Sequence, residues 1–383
     1  MRNDIKELSI SDTRKQEMAK KLVRDYLLAR SNESYLETIY LYSNFTCNEK
    51  CQYCWINSIN TDHKTILKKE FVHIFLEDAL KLGLKKVKIS GGEPLLNNEL
   101  PEIINIFLKE GVFIEIESNG TLITETFIQR LEKDKFEQLY FKISLDSADT
   151  NVQRDITGYN SAFEETIDGI NILKKYNICF DIITVANKIN ISEMQKLIKF
   201  VARLKPSKHR IILNIQPIGH GLENRNLNID LEDMNKLMNY IYSEYPSQVE
   251  FGTLHSTLPP AFVPIDCLKL NFCSWGNGMC GIMPNGDVSI CAPAFETMDI
   301  VAGNLHSMTL ENIWKSSILF TDLRKIEDLE GVCGKCVYRL ACRGMCRIFA
   351  KAKYGKITSP YPFCQDMYEK GLFPGYCIDE MNK

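Results

Sequence analysis

Three cysteines stand at Cys47-x3-Cys51-x2-Cys54 in the stretch Thr46-Cys47-Asn48-Glu49-Lys50-Cys51-Gln52-Tyr53-Cys54-Trp55. The run before them, Thr38-Ile39-Tyr40-Leu41-Tyr42, is β-branched and aromatic, so it predicts a strand with the thiols on the loop that leaves it. Three thiolates on one short loop can hold three corners of a cubane iron–sulfur cluster. Most protein cubanes use four thiolates, so a loop with three leaves one iron open to a small molecule. A zinc site short of one ligand, or three unrelated loop thiols, are the other readings of the same residues.

The chain has 14 cysteines and six histidines in 383 residues. Reducing compartments disfavour disulfides, so such a count in a chain without a secretion signal points to metal or catalysis. No histidine follows a cysteine pair at zinc-finger spacing, which favours thiolate-only iron sites. The N-terminus, Met1-Arg2-Asn3-Asp4-Ile5-Lys6, has no apolar signal core, and no run of apolar residues is long enough to span a bilayer. A cytoplasmic location with no membrane partner is therefore expected. A formal net charge of −3 and no basic patch argue against nucleic acid.

The elements that must position the first thiols read as a strand–helix alternation. Residues 1–36 are charged and predict one amphipathic helix over Lys15–Leu28. From Ile39 onward six strand–helix units follow, with strands at 86–90, 112–117, 139–145, 178–185 and 211–216 after the first. Helices are expected at 69–82, 98–110, 124–133, 161–176, 191–204 and 230–245. Such alternation implies a parallel sheet with a site at the C-terminal strand ends. Six units are too few for a closed eight-stranded barrel, and a doubly wound sheet fits the periodicity equally well. From about 250 the alternation stops at Pro259, Pro260 and Pro264, and ten of the cysteines lie beyond 266. The expected organisation is a helical segment at 1–36, an α/β domain at 37–250 and a small cysteine-rich domain at 251–383.

Gly91-Gly92-Glu93-Pro94 ends the second strand, where two glycines permit close backbone approach and a carboxylate can pair with an ammonium group. Glu117-Ser118-Asn119-Gly120 ends the third strand and Ser144-Leu145-Asp146 the fourth, with Arg154 soon after. Turn chemistry and helix capping are the competing reading of Asn119 and Asp146. His220, in Gly219-His220-Gly221, offers a general base at a strand end, against a structural histidine in a glycine turn. Beyond 250, Cys267-x5-Cys273-x17-Cys291 includes a predicted hairpin, Met283 to Cys291, turning at Asn285-Gly286. Cys333-x2-Cys336-x5-Cys342-x3-Cys346 and Cys364 follow.

The cysteine loop and the Gly-Gly-Glu-Pro turn one strand–helix unit later resemble the radical S-adenosylmethionine (SAM) family. The series from Cys273 through Gly286 and Cys291 to Cys364 resembles that family's SPASM extension. The resemblance implies a partial (β/α)6 barrel followed by a small domain that binds two auxiliary clusters. It implies three 4Fe–4S clusters and SAM as cofactors, with the first cluster on Cys47, Cys51 and Cys54. It places Tyr53 beside the adenine of SAM and Gly91, Gly92, Glu93 and Pro94 at its amino group. It likewise places Ser144 and Arg154 at the carboxylate and ribose, with Ser118, Asn119 and Asp146 nearby. By the same analogy Cys267, Cys273, Cys291 and Cys346 hold the nearer auxiliary cluster, and Cys333, Cys336, Cys342 and Cys364 the distal one. Cys179, Cys280 and Cys377 are left over. Cys179 reads as a buried core thiol, and Cys280 as a candidate hydrogen donor to a substrate radical.

The implied activity is reductive cleavage of SAM to a 5′-deoxyadenosyl radical that abstracts a substrate hydrogen atom. Peptide modification by a thioether or carbon–carbon cross-link is the favoured outcome. Oxidation or epimerisation of a small molecule, such as a sugar, aminocyclitol or haem precursor, is the alternative. Sulfatase maturation is less favoured, because Ala292-Pro293-Ala294 follows Cys291 where an aspartate would be expected. With about 36 residues before the first strand, no fused peptide-recognition domain is expected, so a peptide would dock directly or through a carrier protein. Electrons would come from a flavodoxin- or ferredoxin-type donor. A non-enzymatic, cysteine-rich zinc protein is the reading of a different class.

Overall fold

The computed structural model describes residues 10–28, 35–56, 65–251, 254–265, 268, 270, 272–291, 300–325 and 328–379. They form two compact units: one of 35–257 and 275–321, the other of 1–34, 258–274 and 322–383.

The larger unit is a ten-stranded sheet. Its strands are β1 (Thr38–Tyr42), β2 (Lys86–Ser90), β3 (Phe113–Ser118), β4 (Leu139–Ser144), β5 (Cys179–Val185) and β6 (His209–Ile212), then β7 (Leu254–Ser256), β8 (Met279–Ile282), β9 (Asp287–Ser289) and β10 (Gly303–Asn304). The spatial order is β10-β9-β8-β1-β2-β3-β4-β5-β6-β7. Every pairing from β8 through β7 is parallel, whereas β9 joins β8 and β10 antiparallel. The first five strands fall where alternation predicts them, whereas β6 begins two residues before the expected 211–216 and ends four residues short of it. Two additions were not legible: a three-residue β7 beside β6, and the joining of the predicted hairpin to the sheet through its first arm, β8, beside β1. Both are short, and their pairing partners are remote in sequence.

Register explains the two faces of the sheet. Ile39, Val87, Ile114 and Leu139 are directly paired, and all are 1% exposed or less. With Leu41, Ile89, Ile116 and Phe141 they make an apolar face, of the kind parallel sheets bury under helices. The neighbouring row is polar: Tyr40, Lys88, Glu115 and Tyr140 are directly paired, and Glu117, Lys142 and Asp181 form the next row. A buried charge must be paired, and here Lys142 meets Glu115 at 2.5 Å and Lys88 meets Glu117 at 3.0 Å. Burial would raise Glu115, but Lys88, Lys142 and Lys86 outweigh it and hold the carboxyl down to about 2.

The connecting helices are α2 (Lys69–Lys81), α3 (Leu100–Lys109), α4 (Glu125–Gln129), α5 (Thr150–Thr157), α6 (Ala162–Lys175), α7 (Met194–Leu204), α8 (His220–Glu223) and α9 (Leu231–Glu244); the first helix, α1 (Asp12–Leu28), lies in the other unit. The expected helix at 124–133 is only five residues long, capped by the Thr124 hydroxyl at Phe127 N. A 3-10 turn, Lys133–Gln138, completes the connection. Helix α5 was not expected, although Asp149 caps it and Gly158 closes it in the left-handed conformation.

The smaller unit draws together both ends of the chain. In it α1 packs Ala19 and Val23 against Ala261, Ile265, Val337, Tyr338, Ala341 and Cys377. Gln16 Nε2 donates to the Ile378 carbonyl at 2.7 Å, and Lys20 pairs with Asp379 at 3.3 Å. Val337 N donates to Cys377 O at 2.8 Å and Asp379 N to Lys335 O at 2.8 Å, which laces the end of the chain to the segment after Cys333. Among the described residues no helix is long and apolar enough to cross a membrane.

Candidate active site and thiol centres

The loop Cys47–Cys54 leaves the C-terminal end of β1, and its backbone is clasped by four other connections. The last carbonyls of α5, which a helix cannot satisfy internally, accept from it: Lys50 N reaches Thr157 O at 2.7 Å and Gln52 N reaches Ile156 O at 3.0 Å. From beyond β6, Gly221 N donates to Cys54 O at 3.2 Å, Asn224 Nδ2 to Gln52 O at 2.9 Å, and His220 Nδ1 lies 3.3 Å from Cys51 O. Gly219 has φ +54°, and a Cβ there would stand 2.7 Å from Trp55 O, so only glycine fits against the loop. After β2, Glu93 N donates to Thr46 O at 2.8 Å. After β3, Asn119 Nδ2 donates to Asn48 Oδ1 at 2.9 Å, and Asn48 Nδ2 to Thr121 Oγ1 at 2.8 Å. His220 is thus a structural prop of the cysteine loop.

The Gly-Gly-Glu-Pro turn is built into the same clasp. A Cβ on Gly92 would overlap the Thr46 carbonyl oxygen, and one on Gly91 would stand 2.5 Å from Asn44 O. Pro94 opens a 3-10 turn, which Glu93 caps through Leu95 N. The Glu93 side chain, 1% exposed, accepts from Ser118 Oγ at 2.8 Å, Asn119 N at 2.9 Å and Leu95 N at 3.1 Å. Burial still pushes its carboxyl up to about 7 against those bonds. Net of those bonds, that displacement corresponds to on the order of 3 kcal/mol in favour of the protonated carboxyl.

Two more carboxylates surround the loop. Asp146 accepts from the Tyr53 hydroxyl and from Val185 N at 2.7 Å, and burial raises it to about 6. Glu49 accepts from the Cys51 thiol at 3.3 Å through one oxygen, while its other oxygen is buried without a partner. Burial lifts Glu49 to about 8. No lysine or arginine is paired with any of the three among the described residues. Three thiols on one loop, ringed by buried carboxylates without a cation, suit an iron cluster that shares its open corner with a positively charged ligand. Cubane thiolates bind separate irons and need not converge, and no group of three or more His, Cys, Asp or Glu among the described residues is arranged around a single ion.

Ser118, Asn119, Glu93, Tyr53 and Asp146 are brought to this end of the sheet. Ser144 is the last residue of β4, half-buried. Arg154 bonds within its own helix, to Asn151 Oδ1 at 3.1 Å and Asp155 Oδ1 at 3.0 Å, and not to Ser144. Cys280 is directly paired with Ile39 and therefore sits on the apolar face, fully buried, not on the polar face that carries Tyr40 and Lys88. Its thiol is raised by burial alone. Cys179 is a correction: as the first residue of β5 it is exposed, because its strand enters the sheet at the open end.

The cysteines after 266 divide between the units. The predicted hairpin is present: β8 and β9 are antiparallel, and Gly286 turns with φ +87°. Cys291 follows β9, half-buried, in the larger unit. In the smaller unit Cys333, Cys336, Cys342 and Cys364 line one cavity. Cys346 is not among its lining residues; it lies instead within electrostatic reach of Cys273. Cys267 and the Ala292-Pro293-Ala294 segment lie outside the described residues. Sequence reasoning missed the buried Arg347, which stands among these thiols, and placed no role on Cys377, which packs against Cys336 and Cys342. The arginine directly after Cys346 was the available signal.

The radical SAM superfamily model matches residues 42–201, and the iron–sulfur cluster-binding SPASM model matches residues 273–337. An AdoMet-dependent heme synthase of Methanosarcina barkeri is 26% identical over 83% of this chain and 93% of its own length. The mycofactocin maturase MftC of Mycolicibacterium smegmatis is 25% identical over 84% of this chain and 80% of its own. The crystal structure of Streptococcus suis SuiB bound to its precursor peptide SuiA shares the fold, with a TM-score of 0.69 at 17% identity, covering 94% of this chain and 82% of that one. Thiol loop, buried carboxylates, parallel sheet and cysteine-rich C-terminal region thus have one common explanation: the chain is an enzyme of the radical SAM superfamily that carries a SPASM iron–sulfur domain.

Proposed function

We propose that this enzyme cleaves SAM reductively and oxidises a ribosomally made peptide, closing a thioether or carbon–carbon cross-link. Cys47, Cys51 and Cys54 would hold the SAM-binding cluster. Cys267, Cys273, Cys291 and Cys346 would hold a nearer auxiliary cluster, and Cys333, Cys336, Cys342 and Cys364 a distal one, making three 4Fe–4S clusters. Bound there, these groups supply an electron to SAM and a 5′-deoxyadenosyl radical for hydrogen abstraction.

The chain's own residues orient and charge-match the cofactor. Glu93, fixed by Ser118, Asn119 and Leu95, presents a carboxylate to the methionyl ammonium, with the Gly91-Gly92 backbone and Pro94 shaping the turn. Tyr53, tied to Asp146, borders the adenine, and Ser144 and Arg154 serve the carboxylate and ribose. The desolvation held in Glu93, Asp146 and Glu49 is relieved when a cation arrives, so it favours a sulfonium–ammonium ligand over a neutral one. A four-thiolate set leaves no open iron, which suits the distal centre to electron transfer. Electrons would enter from a flavodoxin- or ferredoxin-type protein.

The observation that carries the reading is the three-thiol loop clasped against a buried, cation-free Glu93. The peptide assignment is supported by MftC, a maturase, and by SuiB, whose fold accommodates a precursor peptide. A second reading, oxidation of a haem precursor, is supported by the resemblance to the heme synthase of M. barkeri. Anaerobic, iron-loaded enzyme incubated with SAM, reductant and either peptides encoded beside it or iron porphyrin precursors separates the two. A peptide product lighter by two hydrogen atoms, with 5′-deoxyadenosine, supports the first reading. Turnover of the porphyrin alone supports the second, and no 5′-deoxyadenosine with any substrate or without one overturns both.

A further inference from the structure

Arg347 follows Cys346 and opens the helix Arg347–Tyr354, yet it is only 2% exposed. Its guanidinium is held by main-chain oxygens. Nη1 donates to Ser359 O at 2.7 Å and Ile357 O at 3.1 Å, Nη2 donates to Gly344 O, and Nε is buried without a partner. Gly344 itself lines the four-thiol cavity, so the guanidinium lies directly behind the cavity wall. Cys333, Cys342, Cys346 and Cys364 stand close enough that each, as a thiolate, stabilises its charge. Among the described residues no carboxylate forms an ion pair with it; its hydrogen bonds go to main-chain oxygens. Tyr361 N also donates to Cys333 Sγ at 3.2 Å, a second polar group aimed at the same sulfurs.

A buried cation without an anion is costly, and carbonyl dipoles compensate it only in part. The missing anion is what the cavity would contain. A cubane on four thiolates is a dianion, and one added electron makes it a trianion. A fixed positive charge beside it stabilises the reduced form more than the oxidised one and raises its potential, as net charge and hydrogen bonds to the sulfurs do generally.

We propose that Arg347 is the internal counter-ion of the distal auxiliary cluster, a positioning residue whose charge sets that centre as an electron acceptor. The inference rests on the reading of Cys333, Cys336, Cys342 and Cys364 as that cluster's ligands. It separates them from a zinc site, since zinc would need the same charge but has no reduction to tune.

The test is a dithionite-poised redox titration followed by electron paramagnetic resonance, on the full chain with Cys47, Cys51 and Cys54 replaced by alanine so that the SAM-binding centre is silent. Iron content in this background comes first. Iron absent from the thiol cavity, scored by the further loss on Cys364→Ala, overturns the ligand reading itself and the inference with it. With iron present, Arg347→Met is expected to lower the reduction equilibrium constant of one auxiliary centre about tenfold, which is 59 mV for one electron. Arg347→Lys is expected to restore most of the shift. An unchanged potential in Arg347→Met, with normal iron, overturns the counter-ion role while leaving the ligand set intact. Should Arg347→Met fail to take up iron, Arg347→Lys decides. Full iron at the wild-type potential supports a requirement for charge, whereas loss of iron in both variants overturns it in favour of shape.

Discussion

The two best-defined thiol sets of this chain have opposite electrostatic surroundings. The loop after β1 is ringed by Glu93, Asp146 and Glu49, three buried carboxylates raised by desolvation and lacking a basic partner among the described residues. Among the described residues the four-thiol cavity of the smaller unit has no such ring and instead has Arg347 sealed behind its wall. Thiols are common to both, so the contrast lies in the charge that surrounds them. The first favours an incoming positive ligand; the second favours added negative charge. On the function proposed above, the first would bind a cofactor and the second would hold an electron.

The largest effects should come from breaking the first site outright. Replacing Cys47, Cys51 or Cys54 by alanine should abolish 5′-deoxyadenosine formation, measured by chromatography, while the auxiliary iron remains. Gly92→Ala should come close to that, because its Cβ would overlap the Thr46 carbonyl. A fixed backbone cannot yield without strain, so a stability loss of roughly 1–3 kcal/mol or more is expected by chemical denaturation.

Glu93→Gln tests the charge itself. It should weaken SAM binding to the cluster-loaded enzyme by about 10- to 100-fold, the scale of the desolvation that binding relieves. The wild type should bind SAM more tightly as pH rises through about 7, releasing a proton, because the carboxyl ionises there and the cation selects the ionised form. Calorimetry in two buffers would show that proton, and Glu93→Gln should lose it. Without SAM the same group acts on folding in the other sense. Its folded value of about 7 lies above the ordinary 4.5, so the folded chain keeps a proton that the unfolded chain releases. Its contribution to stability is therefore intact below about 4.5 and falls as pH rises toward 7. The smallest effect should be that of His220→Ala, which removes one side-chain contact to Cys51 O and should cost about 0.5–1.5 kcal/mol. Its pH–rate profile should keep the wild-type shape; loss of a limb would make His220 a base and not a prop.

Much of this arrangement was legible in the sequence because it is local. The cysteine loop, the Gly-Gly-Glu-Pro turn and the first six strands announce themselves by spacing and alternation within a few residues. The unread parts depend on contacts between distant segments. Helix α5 has the Asp149 cap and Gly158 stop of an ordinary helix, but too few apolar residues to stand out; its purpose is to offer two end carbonyls to the cysteine loop. The Gly219–Asn224 segment looks like a turn until its hydrogen bonds to Cys51, Gln52 and Cys54 are seen. Cys179 and Cys280 show the same limit. Period alone assigns a strand residue to one of two faces, but which face is covered, and where the sheet ends, is decided by neighbours in space.

The interleaving of the smaller unit also sets an order of assembly. Helix α1 precedes the sheet along the chain, yet its partners, Val337, Ala341 and Cys377, are made only after the sheet's last described strand. The four-thiol cavity likewise waits for Cys364, whereas every described strand of the sheet has been made by Asn304. The four-thiol cavity is therefore completed later in synthesis than the first thiol loop and its clasp. A ribosome-stalled chain truncated near residue 325 offers the direct view: it should take up iron at the loop after β1 and none at the four-thiol cavity.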